Sequence, residues 1–273
     1  MADPQQSLAD RRPSVLAGST VLRLAYGLYA WTLFLAFGAA AVPVLLLTRS
    51  LSRRRAIVRA LARCVLKLIG MRVRIRGLER IEPPCVVVAN HSSYLDGVIM
   101  AAALPPSFSF VIKREMSSFP LAGTVLRRIG AEFVERQDHR RSAQDARRLM
   151  RNAELGQALV FFPEGTFSAE VGLLRFHMGA FAAAARADMA VIPVAIRGTR
   201  ACLPPGHVLP RPGLIQVDVL AALPGRRPGR QAEEPDRPVV LRDSARAALL
   251  AALGEPDLAA REASATAVQN LDA

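Results

Sequence analysis

Residues 85–96 read CVVVANHSSYLD, and the fold turns on how that stretch is parsed. Val86, Val87 and Val88 are β-branched and unbroken, so neither face of the segment is marked for water. Strands covered on both faces of a parallel sheet look like this. Asn90 and His91 end the run, Ser92 and Ser93 are of the type that caps helices, and a helical pattern runs from Leu95 to Ala103. The parse is strand, turn, helix. It puts His91 at the carboxyl end of a strand, where open α/β sheets bind their ligands. A second stretch, Val160-Phe161-Phe162-Pro163-Glu164-Gly165-Thr166, has the same form.

Outward from these two stretches, apolar runs alternate with helical patterns. Strands are expected at Arg72–Arg76, Cys85–Ala89, Phe108–Ile112, Glu132–Glu135, Ala158–Phe162, Val191–Ile196 and Ile215–Leu220. Helices are expected at Leu95–Ala103, Phe119–Ile129, Arg141–Glu154, Met178–Arg186 and Leu241–Leu253. The alternation predicts an α/β fold, a mostly parallel or mixed sheet of about seven strands flanked by helices. Pro224–Pro238 reads as a polar loop rich in Pro and Arg. We divide the chain into a disordered start (1–20), a membrane-anchoring segment (21–70), a catalytic domain (71–255) and a disordered tail (256–273).

The anchoring segment is marked by its charge. The chain has 273 residues, 36 Lys and Arg against 23 Asp and Glu, and a net charge of +13. From Arg11 to Leu78 there are thirteen basic residues and no acidic one, so the remaining basic residues equal the acidic ones. Such confinement points to a segment that meets an anionic surface, and it argues against a nucleic-acid-binding domain. Leu24–Thr48 carries no charge over 25 residues. As a helix it rises about 38 Å, more than the roughly 30 Å hydrocarbon core. Tyr26, Tyr29 and Trp31 suit the headgroup layer at one end, and the Arg49–Arg55 cluster should hold the other end in the cytoplasm. Gly38 and Pro43 leave a half-inserted hairpin open. A cleaved signal peptide and a buried core helix are the competing readings. Residues 51–69 form a basic amphipathic helix, with Ile57, Leu61, Val65 and Leu68 on one face and cations around the rest. It can lie among lipid phosphates or pack on the protein's own core.

With 51% hydrophobic residues, global disorder is excluded. Cys64, Cys85 and Cys202 are too widely spaced for a disulfide scaffold or a zinc finger. His91 and Asp96 are the candidate acid–base pair. A carboxylate in the first turn of a helix can accept the proton of one imidazole nitrogen and leave the other free as a base. A structural histidine beside a capping aspartate reads equally from the spacing alone. No second His or carboxylate stands at metal-ligand spacing. In the other stretch, Pro163 ends the ladder and Gly165 permits close backbone approach, so that free amides could hold a phosphate or an oxyanion.

Taken with two further blocks, these stretches resemble the glycerolipid acyltransferase family that includes the 1-acylglycerol-3-phosphate acyltransferases. Asn90-His91-Ser92-Ser93-Tyr94-Leu95-Asp96 looks like that family's NHxxxxD block. Lys113-Arg114-Glu115, Phe119-Pro120 and Gly130 to Arg136 resemble the second. Phe162 to Thr166 resembles the third, and Val191 to Thr199 the fourth. The likeness spans about residues 70–222. It implies an O-acyltransferase in which His91 is the general base on the acceptor hydroxyl and Asp96 orients it. Arg136 would meet the acceptor phosphate, and Glu164, Gly165 and Thr166 would form the acceptor-binding turn. Lys113 and Arg175 are further phosphate candidates. The implied partners are a lysophospholipid, anionic membrane lipids, and an acyl carrier protein or CoA thioester as donor, with no cofactor. The implied location is the inner membrane, with the catalytic domain facing the cytoplasm. One departure stands out: many members have a basic residue after the threonine, and here Phe167 follows Thr166. That keeps a different lysolipid acceptor open, and a catalytically silent lipid-binding protein remains the rival of another class.

Overall fold

A computed structural model describes residues 20–135, 138–225 and 236–261. Its centre is a seven-stranded sheet: β1 (Arg72–Arg76), β2 (Cys85–Ala89), β3 (Ser109–Lys113), β4 (Glu132–Val134), β5 (Leu159–Phe161), β6 (Ala190–Arg197) and β7 (Leu214–Val219). The spatial order is β1-β7-β6-β2-β5-β3-β4. Every neighbouring pair is parallel except β6 with β7. The expected strands are all present. Because β2 to β6 run the same way, their carboxyl ends share one edge, and the antiparallel return of β7 brings the starts of β7 and β1 to that edge too.

All five residues of β2 are buried, as the apolar run required. Alternate residues feed two cores. Val87 and Ala89 join the core under α1 (Thr20–Leu47), α2 (Leu51–Leu68) and α3 (Leu95–Ala103). Val86 and Val88 join the core under α5 (His139–Glu154), α6 (Gly179–Arg186) and α8 (Arg237–Leu253). Each such valine stabilises the fold by roughly 1.5–3 kcal/mol relative to exposure. Two further helices, α4 (Pro120–Arg128) and the short α7 (Thr199–Cys202), follow β3 and β6. Helix α8 starts at Arg237 rather than Leu241, because a proline is well tolerated in a helix's first turn.

Helix α1 is continuous through Gly38 and Pro43, so the hairpin expectation does not hold in this structure. Its buried residues are Gly27, Ala30, Ala41 and Leu45, one stripe of mostly small side chains, while Leu28, Leu35 and Leu47 are exposed. The small residues let neighbours come close. A Cβ on Gly27 would stand 2.5 Å from Leu209, and one on Gly38 would stand 2.8 Å from Leu121. Tyr26 and Tyr29 donate their hydroxyls to the carbonyls of Ile69 and Leu68 at the end of α2.

Of the two readings of α2, packing on the protein's own core accounts for much of its basic face. Arg54 donates to Arg128 O and Arg55 to Ile129 O, at the end of α4. Arg59 donates to Ala103 O and Arg63 to Ala102 O, at the end of α3. Helix ends leave carbonyls without partners and carry a partial negative charge, so a nearby guanidinium is well placed there. Arg49, Arg53, Lys67, Arg72, Arg74 and Arg76 remain exposed. Residues 256–261, expected to belong to a disordered tail, are placed in the structure. Asp257 pairs with Leu173 and with Arg246, and Leu258 is buried. Residues 1–19 and 262–273 lie outside the described residues.

Candidate active site

The turn after β2 is built around one buried carboxylate. Asp96 is fully buried, and its Oδ2 accepts from the backbone amides of Ser92 at 2.7 Å and Ser93 at 2.8 Å. The same oxygen meets Nδ1 of His91 at 2.9 Å. Three donors converge on that one carboxylate oxygen, and the contact orients the imidazole with Nδ1 as the donor. Nε2 is thereby left as the basic nitrogen. It has no hydrogen-bond partner among the described residues, and the His91 side chain is 19% exposed. Ser93 accepts from the Leu95 amide, as a residue at a helix start should, but the aspartate organises the turn.

The second turn holds the first. Glu164, 4% exposed, accepts from the amide of His91 through Oε1 at 2.6 Å and from the amide of Leu174 through Oε2 at 2.9 Å. Burial pushes its carboxyl up to about 7, against the pull of those two amides and with the nearby Asp96 charge adding to the rise. Both oxygens thus meet the protein's backbone, so in this structure Glu164 holds the histidine's main chain. Gly165 adopts φ +74° and donates its amide to Phe162 O, within the turn. That amide is therefore not available to a ligand, contrary to the expectation of a free-amide cradle. Thr166 is exposed.

Aromatic side chains that the sequence reading did not assign to the site enclose the imidazole. Phe162 stacks on His91 with centroids 4.5 Å apart, and Phe167 meets it edge-on at 4.6 Å. Phe167 also packs edge-on against Tyr94 at 4.8 Å. Phe167, noted in the sequence as the residue after Thr166, is therefore an apolar wall beside the imidazole. Farther out, Asn90 bonds both the amide and the carbonyl of Ile196 in β6. Ser92 Oγ meets Thr199 Oγ1 at 3.0 Å, and Ser93 Oγ donates to Leu203 O at 2.8 Å. These long-range bonds tie the histidine segment to the β6–β7 connection.

Neither of the phosphate candidates among the described residues, Lys113 and Arg175, has a hydrogen bond or ion pair with His91. Lys113 ends β3, two strands and so about 10 Å from β2, and pairs with Glu115 at 3.2 Å on the surface. Arg175 is exposed. Arg136 lies outside the described residues; it follows β4, whose carboxyl end lies on the same sheet edge as His91. Among the described residues no group of three or more His, Cys, Asp or Glu side chains could hold a metal ion.

The chain is similar to known proteins. The model of the family described as Acyltransferase matches residues 72–197, a stretch that contains His91, Asp96 and Glu164. A chloroplast 1-acyl-sn-glycerol-3-phosphate acyltransferase of Arabidopsis thaliana is 34% identical over 138 residues, 50% of this chain and 38% of that protein. The chain thus spans well under half the length of that relative. A Caenorhabditis elegans protein named for the same activity is 31% identical over 206 residues, 73% of this chain and 71% of its own length. The crystal structure of a 1-acyl-sn-glycerophosphate acyltransferase from Thermotoga maritima superposes with a TM-score of 0.66 at 21% identity. It covers 82% of this chain and 95% of that one, and it shows the fold. Since the similarity runs through most of a whole relative and the family model takes in residues 72–197, the chain belongs to the glycerolipid acyltransferase family that includes the 1-acylglycerol-3-phosphate acyltransferases.

Proposed function

We propose that the protein moves a fatty acyl chain from a thioester, on acyl carrier protein or CoA, to the free hydroxyl of 1-acylglycerol-3-phosphate, giving phosphatidic acid. The observation that carries this reading is the His91–Asp96 pair, with Nδ1 held at 2.9 Å and Nε2 unengaged. As the acceptor oxygen attacks the thioester carbonyl, Nε2 takes its proton. The tetrahedral intermediate collapses, its C–S bond breaks, and the imidazolium returns the proton to the leaving thiolate. The products are an ester and a free thiol. Asp96 stabilises the transient imidazolium. No covalent acyl-enzyme is required, which suits a site whose nearest hydroxyls, Ser92 and Ser93, are engaged with Thr199 and Leu203.

The membrane reading rests on α1. Its buried stripe runs from Gly27 to Leu45, about 27 Å of helix at 1.5 Å per residue. A helix that lies along its own catalytic domain for that length does not also cross the hydrocarbon core. We therefore infer that α1 lies in the bilayer interface, exposed leucines toward the lipid, and holds the catalytic sheet edge against the membrane. The proposed location remains the inner membrane, from the cytoplasmic side.

Phe167 supports a second acceptor class. With an aromatic ring at 4.6 Å from His91, the phosphate contact must come from elsewhere, or the acceptor headgroup differs. The purified full chain in mixed vesicles, given labelled acyl thioester and a panel of lysolipids, tests both readings. Predominant conversion of lysophosphatidic acid supports the first. Predominant conversion of another lysolipid selects the second, and no transfer to any acceptor would leave the silent lipid-binding protein.

A further inference from the structure

The loop between α7 and β7, residues 203–213, contains four prolines and no acidic residue; none occurs between Asp188 and Asp218. It stands on the sheet edge that carries His91, because β6 runs toward that edge and β7 returns from it. Its tip is apolar and open. Val208 is 71% exposed, next to Trp31 of α1, itself 41% exposed. The two are joined: Trp31 Nε1 donates to Val208 O at 2.6 Å. One residue on, Leu209 sits so close to Gly27 that no side chain fits between them. His207 and Arg211 are exposed on either side. A loop surrounded by water is normally polar, and an open apolar patch continuous with an apolar helix marks a contact surface.

We propose that residues 204–211 are a second membrane contact, seated in the lipid interface beside α1. The proposal rests on the interfacial reading of α1 and extends it. The occupant is a bilayer surface with anionic headgroups rather than a protein. Val208 and Trp31 make one continuous apolar patch with the exposed face of α1, and an acid-free rim carrying Arg211 and His207 suits lipid phosphates. The stem of the loop makes the contact consequential. Thr199 and Leu203 bond to Ser92 and Ser93, which directly follow His91. An inserted tip would therefore fix the height and tilt of the histidine segment over the membrane, where a single helix leaves the domain free to roll about its axis.

Position 208 can be read separately from α1. Trp31 is the chain's one tryptophan, so its quenching by brominated lipids reports α1. Val208→Cys in a Cys64→Ser background carries an environment-sensitive dye at the tip, since Cys85 and Cys202 are buried. On vesicles of phosphatidylcholine with about a third phosphatidylglycerol, the dye should shift to the blue and be quenched by brominated lipid alongside Trp31. Val208→Asp should weaken vesicle binding about 5- to 20-fold while the folded chain's melting temperature stays put. A quenched Trp31 with a water-exposed dye would overturn the loop contact and leave the α1 reading standing. An unquenched Trp31 would overturn both. A dye already shielded without lipid, in a dimer seen by sedimentation, would identify a second copy as the occupant and overturn the proposal.

Discussion

At the scale of single residues, two carboxylates divide the labour. Asp96 faces the imidazole, and Glu164 holds the histidine's backbone from the other side. A glutamine at 164 keeps one acceptor but aims an N–H₂ group at an amide that needs one. Glu164→Gln should lower stability by roughly 1–3 kcal/mol and cut turnover, both measurable on the detergent-solubilised protein. The pH dependence has a definite sign. A carboxyl raised by burial from 4.5 to about 7 contributes its full stabilisation below pH 4.5 and loses it as pH rises through 7. The melting temperature of the parent protein should therefore fall between pH 5 and 8 by more than that of Glu164→Gln. The pairing of His91 with Asp96 was legible in the sequence because it is local, with the helix start between them fixing the geometry. The role of Glu164 was not, since its partner lies 73 residues away and a turn carboxylate reads equally as a substrate contact. Phe167 was noticed as a departure, but its packing on His91 depends on the folded turn.

At the scale of elements, the unexpected finding is how α2 spends its cations. Arg55 reaches Ile129 O, Ser107 O and Ser109 Oγ, so Arg55→Ala removes several charge-assisted bonds and should cost about 2–3 kcal/mol. Arg53 is exposed. Arg53→Ala should leave the melt unchanged and weaken binding to anionic vesicles about fivefold, from roughly 1 kcal/mol per cation near the surface. Equal melting losses in the two variants would contradict the division. An ion pair ties the segment after α8 back to that helix. Arg246 grips Asp257 at 2.5 and 2.6 Å and, by those bonds first, holds its carboxyl near 2, below the usual 3.8. That contribution is complete above pH 3.8 and is lost as pH falls through 2. Asp257→Asn should therefore cost about 1 kcal/mol at neutral pH, after allowing for the pair's partial exposure, and should speed protease cleavage after residue 253. Strands and helices themselves were legible, because buried valine runs and helical spacing are local signals. The targets of the arginines were not. Periodicity shows that a face is basic, but not whether lipid phosphates or helix-end carbonyls will meet it.

At the scale of the whole molecule, the +13 charge has two uses. Four arginines of α2 lock the anchoring helices onto α3 and α4. The exposed remainder gives the surface its positive sign. The class of fold followed from the strand–helix alternation, whereas the strand order and the antiparallel return of β7 did not, since pairing partners lie far apart in the chain. Yet that return brings the β6–β7 connection, which meets α1, to the edge where His91 stands, so that the proposed membrane contact and the site would share one surface. The central claim is that His91, oriented by Asp96, is the base of an acyl transfer made at that surface. It is tested most directly by single-turnover acyl transfer in vesicles, comparing the parent chain with His91→Ala and Asp96→Asn at equal membrane binding. Each should lose about 10²- to 10⁴-fold in rate, with the melting temperature and vesicle binding of His91→Ala retained. Acyl transfer by His91→Ala at the parent rate would contradict it.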